Sequence, residues 1–208
     1  GMKMNSPMLG QVDFSLIPSY FVDDAAIYHG ASSVGITGGG LGGAVTLGTK
    51  EPETPGFSMR YVQGIGSFTT FDEFLRLSYR GERWSSSTRV LVSTSENDFR
   101  YRNYDSKQFV TDANGQIVDD YYPLQRNRNG AFRDLHLLQE LYYTSRQGDR
   151  LSFAAWYLDT DRGLALLSSD RNSTREKRNS QTERTLRAGA AWDRLFGEVK
   201  TGVRAGYT

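Results

Sequence analysis

Cysteine is absent from the 208-residue chain, and histidine is limited to His29 and His136. Without cysteine the chain can form no disulfide framework, no cysteine-ligated zinc site and no cysteine nucleophile. Neither histidine has a nucleophile or a carboxylate at a spacing that indicates a catalytic pair, and a single histidine in a strand is usually a polar structural group. We therefore predict that the chain is not an enzyme and that it has no metal site and no cofactor.

An excess of either charge is also missing, because 25 Lys and Arg residues face 24 Asp and Glu residues and the net charge is +1. Proteins that bind nucleic acids usually carry a strong basic excess. The one basic stretch, at 171–187, is interrupted by Glu176 and Glu183 and contains no aromatic residue. We therefore predict no nucleic-acid partner.

Long apolar runs are missing too. No run approaches the roughly 20 residues that a membrane-spanning helix needs, and the mean hydropathy is −0.56. Taken alone, these values are typical of a soluble globular protein. Proline is scarce, with 5 residues, whereas glycine (22), tyrosine (12) and phenylalanine (11) are abundant. That composition indicates β-structure with tight turns.

From Phe57 to the end of the chain, apolar and polar residues alternate with period two. The segments are 57–61, 75–80, 84–92, 135–143, 151–157, 186–192 and 199–207. Such alternation predicts about seven antiparallel strands, each with one apolar and one polar face. The polar face carries most of the charge, namely Arg60, Arg76, Arg80, Arg89, Asp134, Glu140, Arg187, Lys200 and Arg204.

The connections between these segments alternate between short and long. Three are tight, at 81–83, 146–149 and 194–197, and three are longer, at 67–72, 96–130 and 161–183. Outer-membrane barrels have this layout, with short turns on one side of the membrane and long loops on the other. A soluble up-and-down sheet can share it, so alternation alone does not distinguish a lipid-facing surface from a core. Aromatic residues near the inferred strand ends suit either a membrane-interface girdle or ordinary strand preference; they are Tyr79, Trp84, Tyr143 and Tyr207.

A glycine-rich segment, 38–43, precedes a short apolar run at 44–47. The stretch 43–50 has the glycine spacing of a phosphate-binding Walker A loop, but it ends in Thr49-Lys50, where that motif needs lysine before the hydroxyl residue. The intervening residues have the pattern of a strand, and no helical period follows the glycines, which excludes a dinucleotide-binding fingerprint. The segment therefore predicts a structural turn followed by a strand.

The same segment resembles the end of the plug domain of TonB-dependent outer-membrane receptors. In that family an isoleucine-proline stretch leads into a strand that ends in a histidine- or arginine-glycine step, and a glycine-rich strand follows just before the barrel. Ile17-Pro18, Val22-Asp23, His29-Gly30 and 42–50 occur here in that order. The plug-motif positions are Gly30, Gly38, Gly39, Gly42, Gly43 and Lys50. The sequence departs from the family at 24–27, where a glutamate-rich strand is more usual, and at Ala31, where proline is usual.

The resemblance implies a mainly β fold in which the C-terminal part of a plug domain, 1–52, is followed by the first part of a transmembrane β-barrel, 57–208. The barrel part would be incomplete, with about seven antiparallel up-and-down strands, and the chain would be a fragment of a longer receptor. The implied function is active uptake of a scarce ligand, such as a siderophore, cobalamin or a glycan, across the bacterial outer membrane. The implied partners are outer-membrane lipid, lipopolysaccharide, a small ligand and the TonB complex, which would act through a segment that is not in this chain.

The long connections at 98–128 and 161–183 are the candidate ligand-binding regions. The first mixes arginine and aromatic side chains, which suits sugars or anionic chelates; its predicted ligand-binding residues are Arg100, Tyr101, Arg102, Tyr104, Tyr121 and Tyr122. Such a connection can equally be a rim loop without a ligand. The alternative for the whole chain is a self-contained soluble β-sheet binding module, of the carbohydrate-binding or adhesin-like kind, with one water-excluding core.

Overall fold

The computed structural model describes residues 2–5, 10–30, 43–164 and 179–208. Over these residues it contains two short 3-10 helices, Phe14–Leu16 and Ser19–Phe21, and thirteen strands. The strands are β1 Asp24–His29, β2 Gly43–Gly48, β3 Gly56–Gly66, β4 Thr70–Arg80, β5 Trp84–Ser95, β6 Arg100–Arg102, β7 Gln108–Thr111, β8 Ile117–Tyr121, β9 Leu124–Arg126, β10 Phe132–Thr144, β11 Arg150–Gly163, β12 Ser180–Phe196 and β13 Val199–Tyr207. The chain is therefore mainly β, which confirms the prediction from composition and alternation.

The described residues before β3, which we call the N-terminal part, hold both helices and one hairpin. Asp13 begins the first helix, because its Oδ1 accepts the backbone N–H of Ser15 at 2.9 Å. β1 and β2 pair in antiparallel register. Gly43 opens β2 with φ 138°, and a Cβ at this position would lie 2.6 Å from the carbonyl oxygen of Tyr28. Only glycine fits so close to a neighbouring backbone.

Seven strands form one sheet in the order β13-β12-β11-β10-β5-β4-β3. Every neighbouring pair is antiparallel. Strands adjacent in the sheet also follow one another along the chain, apart from the insertion of β6–β9 between β5 and β10. The predicted antiparallel up-and-down arrangement of about seven strands is confirmed. Over the described residues the sheet is open, and β3 and β13 are its edges.

Connections of two kinds lie at the two ends of this sheet. The short connections, at what we call the turn end, are 81–83, 145–149 and 197–198. The connections at the opposite end, the loop end, are 67–69, 96–131 and 164–179. The predicted alternation of short and long connections is therefore present from 81–83 onward. The first connection, predicted as a longer link at 67–72, spans only 67–69 because 70–72 belong to β4.

Two predicted boundaries were wrong. Residues 194–196 continue β12 instead of forming a turn, since they pair with β13 down to Phe196 opposite Val199. The left-handed backbone that a tight turn needs is at Gly197, with φ 59°. Residues 161–163 and 180–183, predicted as loop, extend β11 and β12; 165–178 lie outside the described residues.

The N-terminal part packs against one face of the sheet, which we call the covered face; the opposite face is the open face. Phe21 is buried on the covered face among Phe74, Leu91, Leu138 and Trp156, which come from four neighbouring strands. Met2, Met4, Ile17 and Val62 pack around this cluster. Every buried apolar side chain in the described part of the chain belongs either to the N-terminal part or to the covered face. The core therefore lies between these two layers.

Candidate functional site

The covered face is the charged face of the sheet. The covered face includes all nine charged residues that the sequence alternation assigned to one side of the strands. Arg89, His136, Glu140 and Arg187 are buried there. One cross-strand row contains Arg60, Arg76, Arg89, Leu138, Trp156 and Arg187. Such a row of arginines is stable only when anionic groups lie between them, because like charges on directly opposite residues destabilise a sheet.

The open face is apolar and exposed. Its exposed large side chains include Phe57, Met59, Tyr61, Ile65, Phe71, Tyr79, Trp84, Leu137, Leu141, Leu151, Phe153, Leu186, Val199, Val203 and Tyr207. In a water-soluble sheet with one solvated face, the apolar face is the one that is covered. Here the sheet covers its charges and exposes its apolar side chains.

An aromatic row and a charged row border the open face. At the turn end, Trp84, Tyr143 and Trp192 lie in one cross-strand row, and the rings of Trp84 and Tyr143 are 4.5 Å apart. Toward the loop end, Glu73 and the ion pair of Asp159 with Arg184 lie in the row of Leu135. The strand distance from Tyr143 to Leu135 is about 26 Å at the usual rise of a strand. At the strand tilt of about 40° found in outer-membrane barrels this corresponds to a height of about 20 Å, somewhat less than their apolar band of about 25 Å. Tyr207, predicted for the aromatic border, instead lies opposite Ala188, partway along β12.

Polar side chains within this apolar band bond to one another. Thr88 Oγ1 donates to Gln139 Oε1 at 2.6 Å, and Gln139 Nε2 donates to Ser86 Oγ at 3.0 Å. A polar group that faces an apolar medium is costly unless its hydrogen bonds are made. The trio is therefore compatible with an environment that offers no water.

Asp23 of the N-terminal part is bound by two arginines of the covered face. Its carboxylate accepts from Arg89 Nη2 at 2.6 Å, from Arg76 Nη1 at 3.1 Å and from the backbone N–H of Lys50 at 2.8 Å. Arg89 is fully buried and also donates to the carbonyl oxygen of Phe21 at 2.6 Å. Burial raises the pKa of the Asp23 carboxyl, but the hydrogen bonds from Lys50 and Arg89 and the charges of Arg89 and Arg76 outweigh burial, so the pKa lies below its usual value. Asp23 thus separates two arginines that would otherwise repel each other.

Further polar contacts hold the segment that follows β2 against the covered face. Thr49 Oγ1 donates to Glu140, which lies 3.5 Å from Arg89 Nη2. Glu51 accepts from Arg150 Nη2 at 2.7 Å and from Arg80 Nη1 at 3.3 Å. The contacts involve four neighbouring strands of the sheet, β4, β5, β10 and β11.

A second attachment lies nearer the loop end. Arg162 of β11 donates to Asp134 Oδ2 at 2.8 Å and to Ser15 Oγ at 2.9 Å. Ser15 belongs to the first short helix, whose N-terminus Asp13 caps. The N-terminal part is therefore held at both ends by side chains of the covered face.

The predicted ligand loop is mostly ordered as a ribbon. β6 pairs with β9, and beyond them β7 pairs with β8. Sequence reasoning treated this connection as a loop, because three- to five-residue strands are too short to show a clear period of two. The side chain of Asp112 closes the turn between β7 and β8 by accepting the backbone N–H groups of Asn114 at 2.9 Å and Gln116 at 2.8 Å.

The six predicted ligand-binding residues are distributed over this ribbon instead of meeting in one pocket. Arg100 and Arg102 share a face with Arg126, whereas Tyr101 lies on the opposite face beside Phe99. Neither Arg100 nor Arg102 forms an ion pair with a described residue, whereas Arg126 is paired with Asp98.

The remaining tyrosines lie farther along the ribbon. Tyr104 contacts Tyr122 with ring centroids 5.1 Å apart. Tyr121 ends β8 and is exposed. Of the four predicted tyrosines, Tyr101 is therefore the one that the strand pairing places on the face opposite Arg100 and Arg102.

The plug-motif positions fall into two groups. Gly30 follows β1 with φ 60°, Gly43 opens β2, and Lys50 donates its backbone N–H to Asp23. The carbonyl oxygen of Lys50 accepts from Arg76 Nη2 at 3.3 Å. The other three positions, Gly38, Gly39 and Gly42, lie outside the described residues.

Sequence reasoning missed the acids of the N-terminal part as binding residues. Asp23 and Glu51 each contact two arginines that are distant in the chain. The sequence did contain one indication of these contacts. Several arginines lie on the same face of neighbouring strands, and such a row requires acidic residues from another part of the chain.

Comparison with protein-family models and with curated proteins finds no match for this chain. Within the described ranges, no group of three or more histidine or acidic residues could hold a metal ion. None of the helices in those ranges is long and apolar enough to cross a membrane.

Proposed function

We propose that this chain is part of a TonB-dependent transporter of the bacterial outer membrane. The N-terminal part is the end of the plug, and the seven-stranded sheet is part of the barrel wall. The observation that carries the proposal is the inverted amphipathicity of the sheet: its charged face is covered by the N-terminal part, and its apolar face is open. A barrel wall has this arrangement, with lipid outside and a polar interior.

The borders of the open face support the same proposal. Trp84, Tyr143 and Trp192 mark the level of one lipid-water interface, where the apolar body and polar tip of such rings are both accommodated. Glu73, Asp159 and Arg184 mark the level at which charged side chains begin. The turn end then faces the periplasm and the loop end faces the outside, because barrels of this class have short periplasmic turns.

In this proposal the ribbon of β6–β9 extends from the wall on the external side. Its basic face, with Arg100 and Arg102 unpaired among described residues, is the candidate contact for an anionic part of a ligand. The transported ligand belongs to the class of scarce solutes that such receptors take up, namely siderophores, cobalamin or glycans. Lipopolysaccharide and phospholipid surround the open face, and energy comes from the TonB complex through another segment of the receptor.

Quenching by brominated lipids tests the proposal, because the three tryptophans lie on different faces. Trp84 and Trp192 are on the open face and Trp156 is on the covered face. Three variants, each keeping one tryptophan and replacing the other two by phenylalanine, are refolded into vesicles of phosphatidylcholine brominated on the acyl chains. We expect strong quenching of Trp84 and Trp192 and weak quenching of Trp156. Equal quenching of all three, or a chain that stays a monodisperse monomer in water without binding vesicles, would favour the soluble module instead.

A further inference from the structure

Two arginines in the same cross-strand row of the covered face are equally buried but differently partnered. Arg89 is fully buried and contacts Asp23, Glu140 and the carbonyl oxygen of Phe21. Arg187 is 5 % exposed and makes no hydrogen bond or ion pair with any described residue. A buried guanidinium without a counter-charge is strongly unfavourable, because the charge has lost its hydration.

Two buried acids of the covered face are already engaged by other arginines. Asp134 is bound by Arg162, and Glu140 lies against Arg89. Glu183, on the same strand, accepts from Thr185 Oγ1 at 3.0 Å and forms no ion pair with Arg187. The charge of Glu183 acts on Arg187, but too far away to form an ion pair. No described carboxylate is therefore in direct contact with this guanidinium.

Two other buried side chains beside Arg187 have polar nitrogens without a partner. The Nε1 of Trp156, the Nδ1 of His136 and the Nε of Arg187 all lack a hydrogen bond. Trp156 is 7 % exposed and His136 is 2 % exposed. The guanidinium carbon of Arg187 lies 5.7 Å from the centroid of the Trp156 ring, and the rings of Trp156 and His136 are 6.0 Å apart. The indole and guanidinium nitrogens are obligate donors, and His136 adds a third donor in the tautomer that carries its proton on Nδ1.

We propose that Arg187, Trp156 and His136 form a binding site for an oxyanion, a phosphate or carboxylate group, on the covered face. Such a group offers several lone pairs to these N–H donors and supplies a negative charge in direct contact with Arg187. The cation-π contact with Trp156 holds the guanidinium over the indole ring. This inference rests on the buried donors and not on the proposed transport function.

The N-terminal part covers this site. Phe21 contacts both His136 and Trp156, with ring centroids 5.9 Å and 6.1 Å away. The Cγ of Met2 lies 3.4 Å from the position that a Cβ on Gly189 would occupy, two residues beyond Arg187 on the same face. Movement of these covering side chains would admit an anion to Arg187.

The indole N–H signals of the three tryptophans test the site directly. The chain is labelled with 15N-tryptophan in detergent micelles, the Trp156 signal is assigned with Trp156→Phe, and inorganic phosphate is added at constant ionic strength. We expect a saturable shift of the Trp156 signal only, since Trp84 and Trp192 lie on the open face and serve as internal controls. A parallel titration with acetate distinguishes a phosphate-selective site from one that accepts any oxyanion.

Two variants separate a binding role of Arg187 from a structural one. Arg187→Gln should weaken phosphate binding about tenfold or more, the usual effect of losing a charged hydrogen-bond partner. Arg204→Gln, on the same face but exposed, should leave the titration unchanged. Unshifted signals of Trp84 and Trp192 would show that Arg187→Gln has kept the fold, and Arg187→Lys supplies a second variant that keeps the charge.

Three results would overturn the inference: no saturable shift of Trp156, equal shifts of all three tryptophans, or an unchanged affinity in Arg187→Gln. None of these results tests whether the open face contacts lipid, so the proposed function is tested independently by the quenching experiment.

Discussion

The covered face and the open face of the seven-stranded sheet alternate residue by residue along the same strands, but they differ in what surrounds them. Arg89 and Glu140 point to the covered face and are buried under the N-terminal part. Leu137 and Leu141, on the same strand as Glu140, point to the open face and are exposed. In the large sheet, burial therefore follows contact with the N-terminal part and not apolar character.

The same comparison explains why average composition misleads. Most open-face residues of β10 and β11 are apolar and alternate with the residues of the charged face, so the mean hydropathy of −0.56 averages two faces with opposite properties. A lipid-facing sheet and a solvated sheet can share that mean. The distinguishing observation is which face is covered, and this depends on how the N-terminal part docks.

The largest expected effect comes from breaking the buried charges of the covered face. Arg89→Ala leaves Glu140 buried without its cation and removes one partner of Asp23, so we expect a loss of about 3–5 kcal/mol in the free energy of unfolding. Denaturant titration of the chain in micelles, followed by tryptophan fluorescence, measures this loss. Arg60→Ala, an exposed residue of the same cross-strand row, is the matched control and should change stability by less than about 0.5 kcal/mol. Equal effects of the two variants would contradict the role assigned to Arg89.

A smaller effect is expected from placing a charge on the open face. Leu137→Arg puts a cation inside the apolar band, one open-face position from its centre at Gln139, which should cost up to about 2–4 kcal/mol of insertion into vesicles if this face contacts lipid. The fraction of chain that floats with vesicles, measured against urea concentration, gives that cost. Ser58→Arg adds the same charge to an exposed position of the covered face and should insert normally. If Leu137→Arg inserts as well as Ser58→Arg, the open face does not contact lipid.

The smallest expected effect is the dependence of docking on pH through Asp23, which has a fifth of its side chain exposed. Its pKa in the folded chain is lowered by Lys50, Arg89 and Arg76 despite burial. The stabilisation by Asp23 is therefore complete above the pKa of an unfolded aspartate, about 4, and is lost as the pH falls through the lower folded value. The free energy of unfolding, measured between pH 7 and pH 3, should fall more steeply in the wild type than in Asp23→Asn. If the free energy of unfolding falls equally with pH in the two proteins, Asp23 does not stabilise the docking of the N-terminal part.

Much of the sheet could be predicted because strand periodicity is local. The alternation around Arg76, Arg89 and Leu137 identified three of the seven strands and assigned each side chain to the correct face. The boundaries of β12 could not be predicted, because its last residues are held in the strand by pairing with β13 and not by their own pattern. The short strands of the β6–β9 ribbon escaped detection for a related reason, since three to five residues give too little periodic signal.

The candidate site could be predicted less well. The alternation predicted which charged residues share the covered face, but it did not predict their partners. Asp23 is 66 residues from Arg89 in the chain, and Glu51 is 99 residues from Arg150. Contacts at that separation depend on how two packed layers meet. That Arg187 forms no ion pair with a described residue is likewise visible only in three dimensions.

By itself, the sequence determined the seven strands of the large sheet, their antiparallel order along the chain, most of the alternation of short and long connections and the division of each strand into an apolar and a charged side. These properties follow from the geometry of an extended backbone and from turn residues, which act over a few positions. Only the tertiary structure decided which side is covered, which buried arginines form ion pairs and that buried Arg187 forms none with the described residues. Those outcomes depend on the desolvation of charges by a distant segment, and desolvation is a property of the packed layers and not of any local stretch of chain.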